Sequence, residues 1–253
     1  MRTGCSDEEL RGSVERMTAT LVHRGPDDTG LWCDGGSGAA LGFRRLAVID
    51  VGPTGHQPMV SSDGRFVIVF NGEIYNFTEL KTELAREGST FRGSSDTEVI
   101  LEAAVRWGAE AAIPKLWGMF AIALWDRRER SLLLARDRLG KKPLYYAMDG
   151  DRVAFASELK AIRAVRTTAI DRQALAGYLR YGCVRAPATI CEAVSKLPPG
   201  STAVLGRTGG FAMRRYWDGR EVAEAGVAAR PESGDATGAV AGLDVLLRDA
   251  VRR

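Results

Sequence analysis

The feature that most constrains the fold is an apolar run that leads directly into an Asn-Gly pair. The run FVIVF at 66–70 indicates a buried strand, and Asn71 and Gly72 come at its end. Asn76 then stands where a helix N-cap is expected, with Glu79 three residues later at the capping-box position. The pattern predicts a strand, a tight corner at Asn71 and Gly72, and a helix leaving that corner.

Such a corner has a chemical use, because it can direct two neutral donors towards one point. The donors would be the side-chain amide of Asn71 and the backbone N–H of Gly72. A tetrahedral oxyanion is stabilised by two converging donors of this kind. The alternative is a hairpin turn, the usual structure for Asn-Gly between apolar runs. Leu80 and Leu84 lie four apart, as on a helix, so no second strand is predicted, and a plain structural turn stays the alternative.

Composition excludes several classes of function. The 253 residues are 45% hydrophobic, enough for one large core, and the formal net charge of +3 gives no case for nucleic acid or an anionic membrane. No apolar run can span a bilayer, and the N-terminus lacks a secretory signal. The scattered cysteines show no metal-binding pair and predict a reducing cytoplasm; they are Cys5, Cys33, Cys183 and Cys191.

Periodicity predicts an α+β chain in which strands and helices are grouped. Strands are expected near 30–33, 38–50, 65–70, 117–126, 131–136, 143–148 and 152–156, with a final hairpin near 202–216. Helices are expected near 6–21, 76–87, 95–107, 157–164 and 171–181. Short turns between neighbouring strands favour antiparallel pairing. Two groups of strands with helices around them suggest a layered sandwich.

The C-terminal part of the sequence changes character after residue 217. Residues 218–237 lose periodicity and are rich in Gly, Ala, Glu and Arg, which predicts a linker. A helix is expected near 239–251, where apolar residues recur at helical spacing at Leu243, Leu246, Leu247 and Val251. We expect this helix to be the first element of a second domain; docking on the main core is the alternative.

A series of motifs in this order resembles a known family. They are HRGPD at 23–27, RLAVID at 45–50, HQPM at 56–59, NGEIYN at 71–76, RGSSDTE at 92–98, RDRLGKKPLYY at 136–146 and FASELK at 155–160. Together they resemble the glutaminase domain of glutamine-hydrolysing asparagine synthetases, which are class II glutamine amidotransferases. The resemblance implies the N-terminal-nucleophile hydrolase fold, an αββα sandwich with two antiparallel sheets, for residues 1–217.

The resemblance also implies roles for individual residues of this sequence. Arg45 would hold the α-carboxylate of glutamine, because a planar guanidinium matches a carboxylate. Asp96 would bind the α-ammonium, with Glu73 in support, and Asn71 and Gly72 would form the oxyanion hole. The segment after Arg45 would line the pocket, with Leu46, Ala47, Val48 and Ile49.

Each of these residues has a structural alternative. Arg45 could be a surface arginine on a strand, and Glu73 a solvated carboxylate in a turn. Asp96 could serve only the helix dipole at the start of its helix. The two histidines, His23 and His56, are interpreted as scaffold residues and not as catalytic bases.

The catalytic nucleophile of this family has no evident counterpart in the sequence. Relatives use a cysteine at the mature N-terminus, which begins a strand and whose own α-amine, with a pKa near 8, acts as the base. Cys5 is followed by Ser6 and Glu9, which predict a helix cap, and Arg2 should prevent removal of Met1. We therefore expect a chain truncated at both ends that does not hydrolyse glutamine by itself.

The resemblance has further implications for cofactors and partners. No cofactor or metal is expected within this chain; ATP and Mg²⁺ are implied for the synthetase domain, whose first helix would be residues 238–253. The expected partners are L-glutamine, that synthetase domain and a second copy in a homodimer, with no nucleic acid or membrane. The alternative function is a non-catalytic glutamine-binding or structural domain of a synthetase. A class II amidotransferase of sugar-phosphate or purine synthesis is a third interpretation.

Overall fold

The computed structural model describes residues 6–47, 52–229 and 236–252. Contacts divide the chain into two units, Met1–Tyr216 and Trp217–Arg253. The helices of the first unit are α1 Asp7–Ala19, α2 Phe77–Arg86, α3 Asp96–Trp107, α4 Ala109–Ala112, α5 Leu159–Arg163 and α6 Arg172–Tyr181. Its strands are β1 Asp28–Asp34, β2 Ala39–Arg45, β3 Met59–Val60, β4 Phe66–Ile74, β5 Gly118–Asp126, β6 Ser131–Arg136, β7 Tyr145–Asp149, β8 Arg152–Ala156, β9 Ser195–Lys196, β10 Ser201–Leu205 and β11 Phe211–Arg215.

Six of the strands form one antiparallel sheet in the order β11-β10-β6-β5-β4-β3. Its centre is the long pairing of β4 with β5, which runs from Phe66 opposite Asp126 to Ile74 opposite Gly118. The hairpin between β5 and β6 closes because the Asp126 carboxylate accepts the backbone N–H groups of Arg128 and Glu129. These strands are buried on both faces, which explains their nearly continuous apolar sequence.

The other strands form a second layer in two pieces. One piece is the antiparallel pair β1-β2, and the other is the sheet β8-β7-β9. Val67, Val69 and Trp125, on one face of the six-stranded sheet, pack in one buried cluster with Leu41 of β2 and Tyr146 of β7. The two layers of sheet therefore share an apolar core.

Helices cover both outer faces of this double layer. On the six-stranded sheet, Phe66, Ile68 and Phe70 pack in one cluster with Leu84 of α2 and Ile100 of α3. On the second layer, buried residues of β7, β8 and α5 form another cluster, against which Met17 of α1 packs. The architecture is therefore the expected α+β fold with an αββα order of layers.

The predicted corner at Asn71 and Gly72 is wrong, because β4 continues through both residues to Ile74. Asn71 pairs with Ala121, and Gly72 with Phe120. A glycine is required at 72, since a Cβ there would overlap the Met119 carbonyl oxygen. The strand can continue because the pairing with β5 satisfies its backbone on that side.

The turn comes four residues later, at Tyr75 and Asn76. Tyr75 donates its N–H to the Trp117 carbonyl, 2.7 Å away, which closes the end of the ladder. Asn76 is the N-cap residue of α2, but its side chain bonds the backbone of Lys115 and Trp117 and does not make the predicted capping box. The capping box of Ser6 and Glu9 on α1 is confirmed.

The second unit contains two helices, α7 Gly219–Ala228 and α8 Ala236–Arg252. Within the predicted linker at 218–237 the structure has helix α7, which the sequence analysis did not predict and which begins after the side chain of Asp218 caps the N–H of Arg220 at 2.9 Å. The helix predicted near 239–251 lies within α8. No helix in the described ranges is long and apolar enough to cross a membrane.

Candidate active site

The first unit contains a cavity of about 640 Å³ between the two layers of sheet, called here the inter-sheet cavity. Val69, Ala121 and Ala123 of the six-stranded sheet line one side, and α1 and α5 line the opposite side. Strand β2 and strand β8 border it laterally. The cavity therefore has the walls of a sheet interior and not of a surface groove.

One end of the inter-sheet cavity collects most of the residues that the sequence predicted for the site. Its lining there includes Arg45, Leu46, Asn71, Gly72, Glu73 and Asp96. Ala47 is not part of the lining and donates its N–H to the Asp27 carboxylate at 2.9 Å. The predicted pocket residues Val48 and Ile49 lie outside the described residues. The fold thus brings together six residues that are up to 51 positions apart in sequence.

Asn71 and Gly72 reach the cavity from inside strand β4. Alternate residues of a strand direct their backbone N–H groups to the same edge. The N–H groups of Phe70 and Ile74 bond side chains away from β5, at 2.7 and 3.1 Å, so the N–H of Gly72 between them points to that same edge. The side-chain amide of Asn71 donates to the Ser157 hydroxyl at 3.3 Å. Two neutral donors of neighbouring residues are therefore presented near one cavity end.

Two carboxylates at this end carry perturbed acidities. Burial raises the pKa of Asp96 to about 6; the N–H of Ile74 opposes the rise, and the neighbouring Glu73 carboxylate adds to it. Burial also raises the pKa of Glu73, while the positive charge of Lys142 opposes that increase. Such a pair favours a cationic ligand, because an ammonium group would relieve both the repulsion and the desolvation.

The guanidinium of Arg45 supplies the positive charge at the same end. Arg45 is the last residue of β2, is buried, and donates from Nη1 to the Gly52 carbonyl at 2.9 Å. One contact fixes the side chain while a guanidinium retains further N–H donors. A ligand with both a carboxylate and an ammonium group would find a matching charge for each.

Gln57 is a residue of this site that the sequence analysis did not identify. Its buried side chain accepts the N–H of Phe70 at 2.7 Å through Oε1. Its Nε2 donates to the hydroxyl of Thr97 at 3.2 Å. Gln57 thus joins the residue before Asn71 to the residue after Asp96. The HQPM motif was a signal for it, but a glutamine in a loop has no pattern that reveals two buried partners.

The histidines lie outside the lining of the inter-sheet cavity and contact carboxylates. His23 and Arg24 both bond Oε1 of Glu158, at 2.9 and 3.0 Å, and Lys160 lies 3.2 Å from Oε2 of the same residue. His56 bonds the Asp28 carboxylate at 2.7 Å, which lowers the pKa of Asp28. These contacts agree with the interpretation of both histidines as scaffold residues.

None of the three cysteines in the described ranges lines the inter-sheet cavity. Cys33 lies in β1, and burial raises the pKa of its thiol. Cys191 is buried, and Cys183 is exposed. The described residues also contain no group of three or more His, Cys, Asp or Glu side chains placed to hold a metal ion.

Comparison with known proteins gives a family that agrees with this geometry. Residues 3–217 match the family described as glutamine amidotransferase domain. Asparagine synthetase [glutamine-hydrolyzing] 1 of Bacillus subtilis strain 168 is 42% identical over 211 residues, which cover 83% of this chain and 32% of that protein. Asparagine synthetase [glutamine-hydrolyzing] 3 of the same strain is 35% identical over 246 residues, which cover 95% of this chain and 38% of that protein.

A solved structure supports the fold. The glutamine phosphoribosylpyrophosphate amidotransferase from B. subtilis superposes with a TM-score of 0.60 at 22% identity, covering 82% of this chain and 47% of that chain. At this identity the likeness concerns the N-terminal-nucleophile fold alone. The present chain spans only about a third of the length of its two asparagine synthetase relatives. Sequence, fold and cavity agree, and the chain belongs to the glutamine amidotransferase domain family.

Proposed function

We propose that this chain is the glutaminase domain of a glutamine-hydrolysing asparagine synthetase and that its site binds L-glutamine. The observation that carries the proposal is the convergence of Arg45, Asp96 and the Asn71-Gly72 pair at one end of the inter-sheet cavity. Family membership supports the same activity. The roles of individual residues are part of the proposal.

The charges fit the two ends of the amino-acid group of glutamine. Arg45 would hold the α-carboxylate, because a buried guanidinium binds a carboxylate in a planar, charge-assisted arrangement. Asp96 and Glu73 would hold the α-ammonium, which in turn would lower the pKa of both acids. The side-chain amide of glutamine would then extend towards Asn71 and Gly72.

The reaction would follow from that placement. A thiolate adds to the amide carbon of glutamine, and the carbonyl oxygen becomes an oxyanion that accepts from Asn71 Nδ2 and Gly72 N–H. The C–N bond then breaks, ammonia leaves with the proton that the thiol gave up, and water hydrolyses the thioester to glutamate. Loss of one oxyanion donor in other enzymes costs about 10²- to 10³-fold in rate.

The resemblance requires the thiol to stand at a free N-terminus, and the three described cysteines lie away from the cavity lining. We therefore expect that the 253-residue polypeptide alone does not release ammonia from glutamine. Sustained, thiol-dependent ammonia release by this polypeptide would contradict the expectation.

The acceptor reaction is a further part of the proposal. Ammonia would serve the ATP-dependent amidation of aspartate in a synthetase domain that uses ATP and Mg²⁺, because the relatives are named as asparagine synthetases. That domain, a homodimer and a cytoplasmic location stay predictions from the sequence and its resemblance.

The test is calorimetric titration of the chain with L-glutamine and with the α-amide of L-glutamine, which lacks the α-carboxylate. We expect Arg45→Met to weaken the binding of L-glutamine by at least about tenfold. The affinity for the α-amide should change little, since the lost contact involves only the carboxylate. Arg152→Met, at the opposite end of the same cavity, is the matched control. Equal losses for both ligands would contradict the assignment of Arg45.

A further inference from the structure

Two motifs of the sequence have no part in the proposed function, HRGPD at 23–27 and FASELK at 155–160. The structure brings these two motifs together at one carboxylate. Oε1 of Glu158 bonds His23 at 2.9 Å and Arg24 at 3.0 Å. The first three residues of HRGPD, called here the HRG segment, are thus tied to the residues just after strand β8.

Ser157 lies between strand β8 and this carboxylate. The residue before it, Ala156, pairs with Tyr145 in the sheet β8-β7-β9. The residue after it, Glu158, bonds the HRG segment and also lies 3.2 Å from Nζ of Lys160 through its Oε2. The backbone of Ser157 is therefore restrained from both sides by contacts with other residues.

The hydroxyl of Ser157 connects this restrained segment to the six-stranded sheet. Ser157 and Asn71 both line the inter-sheet cavity, and Asn71 donates from Nδ2 to the Ser157 hydroxyl at 3.3 Å. Within the described ranges this hydroxyl is the one hydrogen-bond partner of the Asn71 side chain. The contact joins the two layers of the fold at the end of the cavity where the proposed oxyanion donors lie.

An asparagine amide without a partner is a poorly directed donor. The last torsion angle of an asparagine side chain is broad and lacks the three sharp minima of an aliphatic torsion. The amide nitrogen carries two N–H groups, which lie in one plane with the carbonyl. When an acceptor holds one N–H, the plane is fixed and the other N–H has a single direction. The contact with Ser157 leaves the second N–H of Asn71 for the cavity.

We propose that Ser157 is a positioning residue for Asn71, since its hydroxyl accepts one N–H of the amide and so directs the other towards the side-chain carbonyl of glutamine. This inference rests on the proposed function, because it requires Asn71 to be the oxyanion donor. Glu158 and the HRG segment act one step further away, by holding Ser157 in place. A donor that is already directed stabilises a developing oxyanion without the cost of reorganisation.

The probe is L-2-amino-4-phosphonobutanoate, an analogue of glutamine in which a tetrahedral, anionic phosphonate replaces the carboxamide. Its oxygens imitate the oxyanion without the need for a thiol, so the 253-residue chain can be tested as it is. The reference ligand is L-2-aminobutanoate, which keeps the α-amino and α-carboxylate groups and lacks the phosphonate. Calorimetric titration measures the affinity for each ligand.

Ser157→Ala should weaken the binding of the phosphonate by about three- to tenfold, which corresponds to the loss of one hydrogen bond. The affinity for L-2-aminobutanoate should not change, because this ligand has no group that accepts from Asn71. Ser157→Thr keeps a hydroxyl and should restore most of the phosphonate affinity. Equal losses for both ligands, or an unchanged affinity for the phosphonate, would overturn the positioning role.

A double-mutant cycle shows whether Ser157 acts through Asn71. Asn71→Ala should weaken phosphonate binding by at least about tenfold, because a hydrogen bond to an anionic oxygen is lost. In that background Ser157→Ala should cause no further loss, since the amide that it positions is absent. Losses that simply add would overturn the inference.

The same cycle separates the inference from the proposed function. A loss with Asn71→Ala but none with Ser157→Ala leaves the proposed oxyanion donor in place and removes only the positioning role. If Asn71→Ala does not weaken phosphonate binding, or if the unchanged chain binds neither the phosphonate nor L-glutamine, the proposed function itself is contradicted, and the inference fails with it.

Ser201→Ala is the matched control for a loss of stability. Ser201 is a buried serine outside the cavity lining, and its hydroxyl donates to the Pro199 carbonyl at the same distance of 3.3 Å. This variant should lower the Tm about as much as Ser157→Ala and leave the phosphonate affinity unchanged. A loss of affinity in Ser201→Ala equal to that in Ser157→Ala would show a general effect of stability and overturn the inference.

Nitrogen-15 relaxation gives a measurement that needs no ligand. The side-chain amide signal of Asn71 is assigned by its absence in Asn71→Ala. Its order parameter should be lower in Ser157→Ala than in the unchanged chain or in Ser201→Ala, because the amide loses the contact that fixes its plane. The same order parameter in all three proteins would overturn the positioning role.

Discussion

Two acidic regions of the first unit differ in how their charges are satisfied. Glu158 is partly buried, which opposes its ionisation, but hydrogen bonds from His23, Arg24 and Lys160 outweigh that effect and lower its pKa to about 2. Asp96 has the opposite balance, with burial dominant and a pKa of about 6. The first carboxylate has cationic partners within the chain, whereas burial and a neighbouring acid dominate at the second.

This difference separates a scaffold acid, Glu158, from Asp96, the acid that we propose to bind a ligand. The Glu158 cluster joins the HRG segment to the residues just after β8 and gains stability from Arg24 and Lys160. Asp96 costs stability at neutral pH, since a buried carboxylate is ionised beside a second acid. Residues that keep such a cost are concentrated at functional sites.

The largest expected effect is on ligand binding in Asp96→Asn. Loss of the carboxylate should weaken the binding of L-glutamine by about 100-fold, or about 2.7 kcal/mol, because the α-ammonium loses a buried counter-charge. The free energy of unfolding at pH 7 should rise by about 1 to 2 kcal/mol, since asparagine can still accept from Ile74 without a buried charge. Calorimetric titration and urea unfolding measure the two changes. A less stable variant that binds glutamine normally would reverse the assigned roles.

Gln57→Met should have the next largest effect. The change leaves the N–H of Phe70 and the hydroxyl of Thr97 without their buried partner, which should lower the free energy of unfolding by about 2 kcal/mol. Glutamine affinity should fall as well, because Gln57 joins strand β4, which carries Asn71 and Gly72, to helix α3, which begins at Asp96. If Gln57→Met changed neither the free energy of unfolding nor the glutamine affinity, the contacts of Gln57 with Phe70 and Thr97 would be unimportant.

Glu158→Gln tests the scaffold region and should cost about 1 to 2 kcal/mol. The side chain is 24% exposed, so solvent screens its contacts with Arg24 and Lys160 and keeps the effect below that of a fully buried cluster. Thermal unfolding at pH 7 measures the loss. The loss should shrink as pH falls from about 4.5 to 2, because the carboxylate of the unfolded chain takes up its proton from about pH 4.5 while the native one stays ionised down to about 2. A loss that does not depend on pH would exclude an ionic origin.

The smallest expected effect is the pH dependence of stability between pH 7 and 5. The folded-state pKa of Asp96 lies above the ordinary value of 3.8, so the native state binds a proton first and gains stability as pH falls through about 6. The advantage of Asp96→Asn over the unchanged chain should therefore shrink by about 1 kcal/mol from pH 7 to 5. Urea unfolding of both proteins at pH 7 and pH 5 measures the change. If the difference in unfolding free energy is the same at both pH values, the pKa of Asp96 is not raised.

Most of the fold could be predicted from the sequence because its signals are local. The apolar runs of β4, β5 and β6 and the cap at Ser6 each determine their own element. The extent of β4 could not be predicted, since pairing with β5 carries the strand through Asn71 and Gly72. Helix α7 was missed because its Ala- and Gly-rich sequence resembles a linker.

The site was predicted only as far as motifs reach. Arg45, Asn71 and Asp96 stand in recognisable motifs, and the fold brings them to one cavity. Gln57 and Ser157 act through side-chain contacts between segments distant in sequence, at separations of 40 and 86 residues. No periodic pattern encodes such a pair. The same holds for the inter-sheet cavity, which is enclosed by elements that are distant in sequence.

The most direct test of the central claim is the affinity for L-glutamine measured by calorimetry at pH 7.5 and pH 5. If an ionised Asp96 binds the α-ammonium, the affinity should fall by roughly tenfold at the lower pH, where a group of pKa about 6 is mostly protonated. Asp96→Asn should bind weakly at both values. Equal affinity of the unchanged chain at pH 7.5 and 5, or no detectable binding at either, would contradict the account.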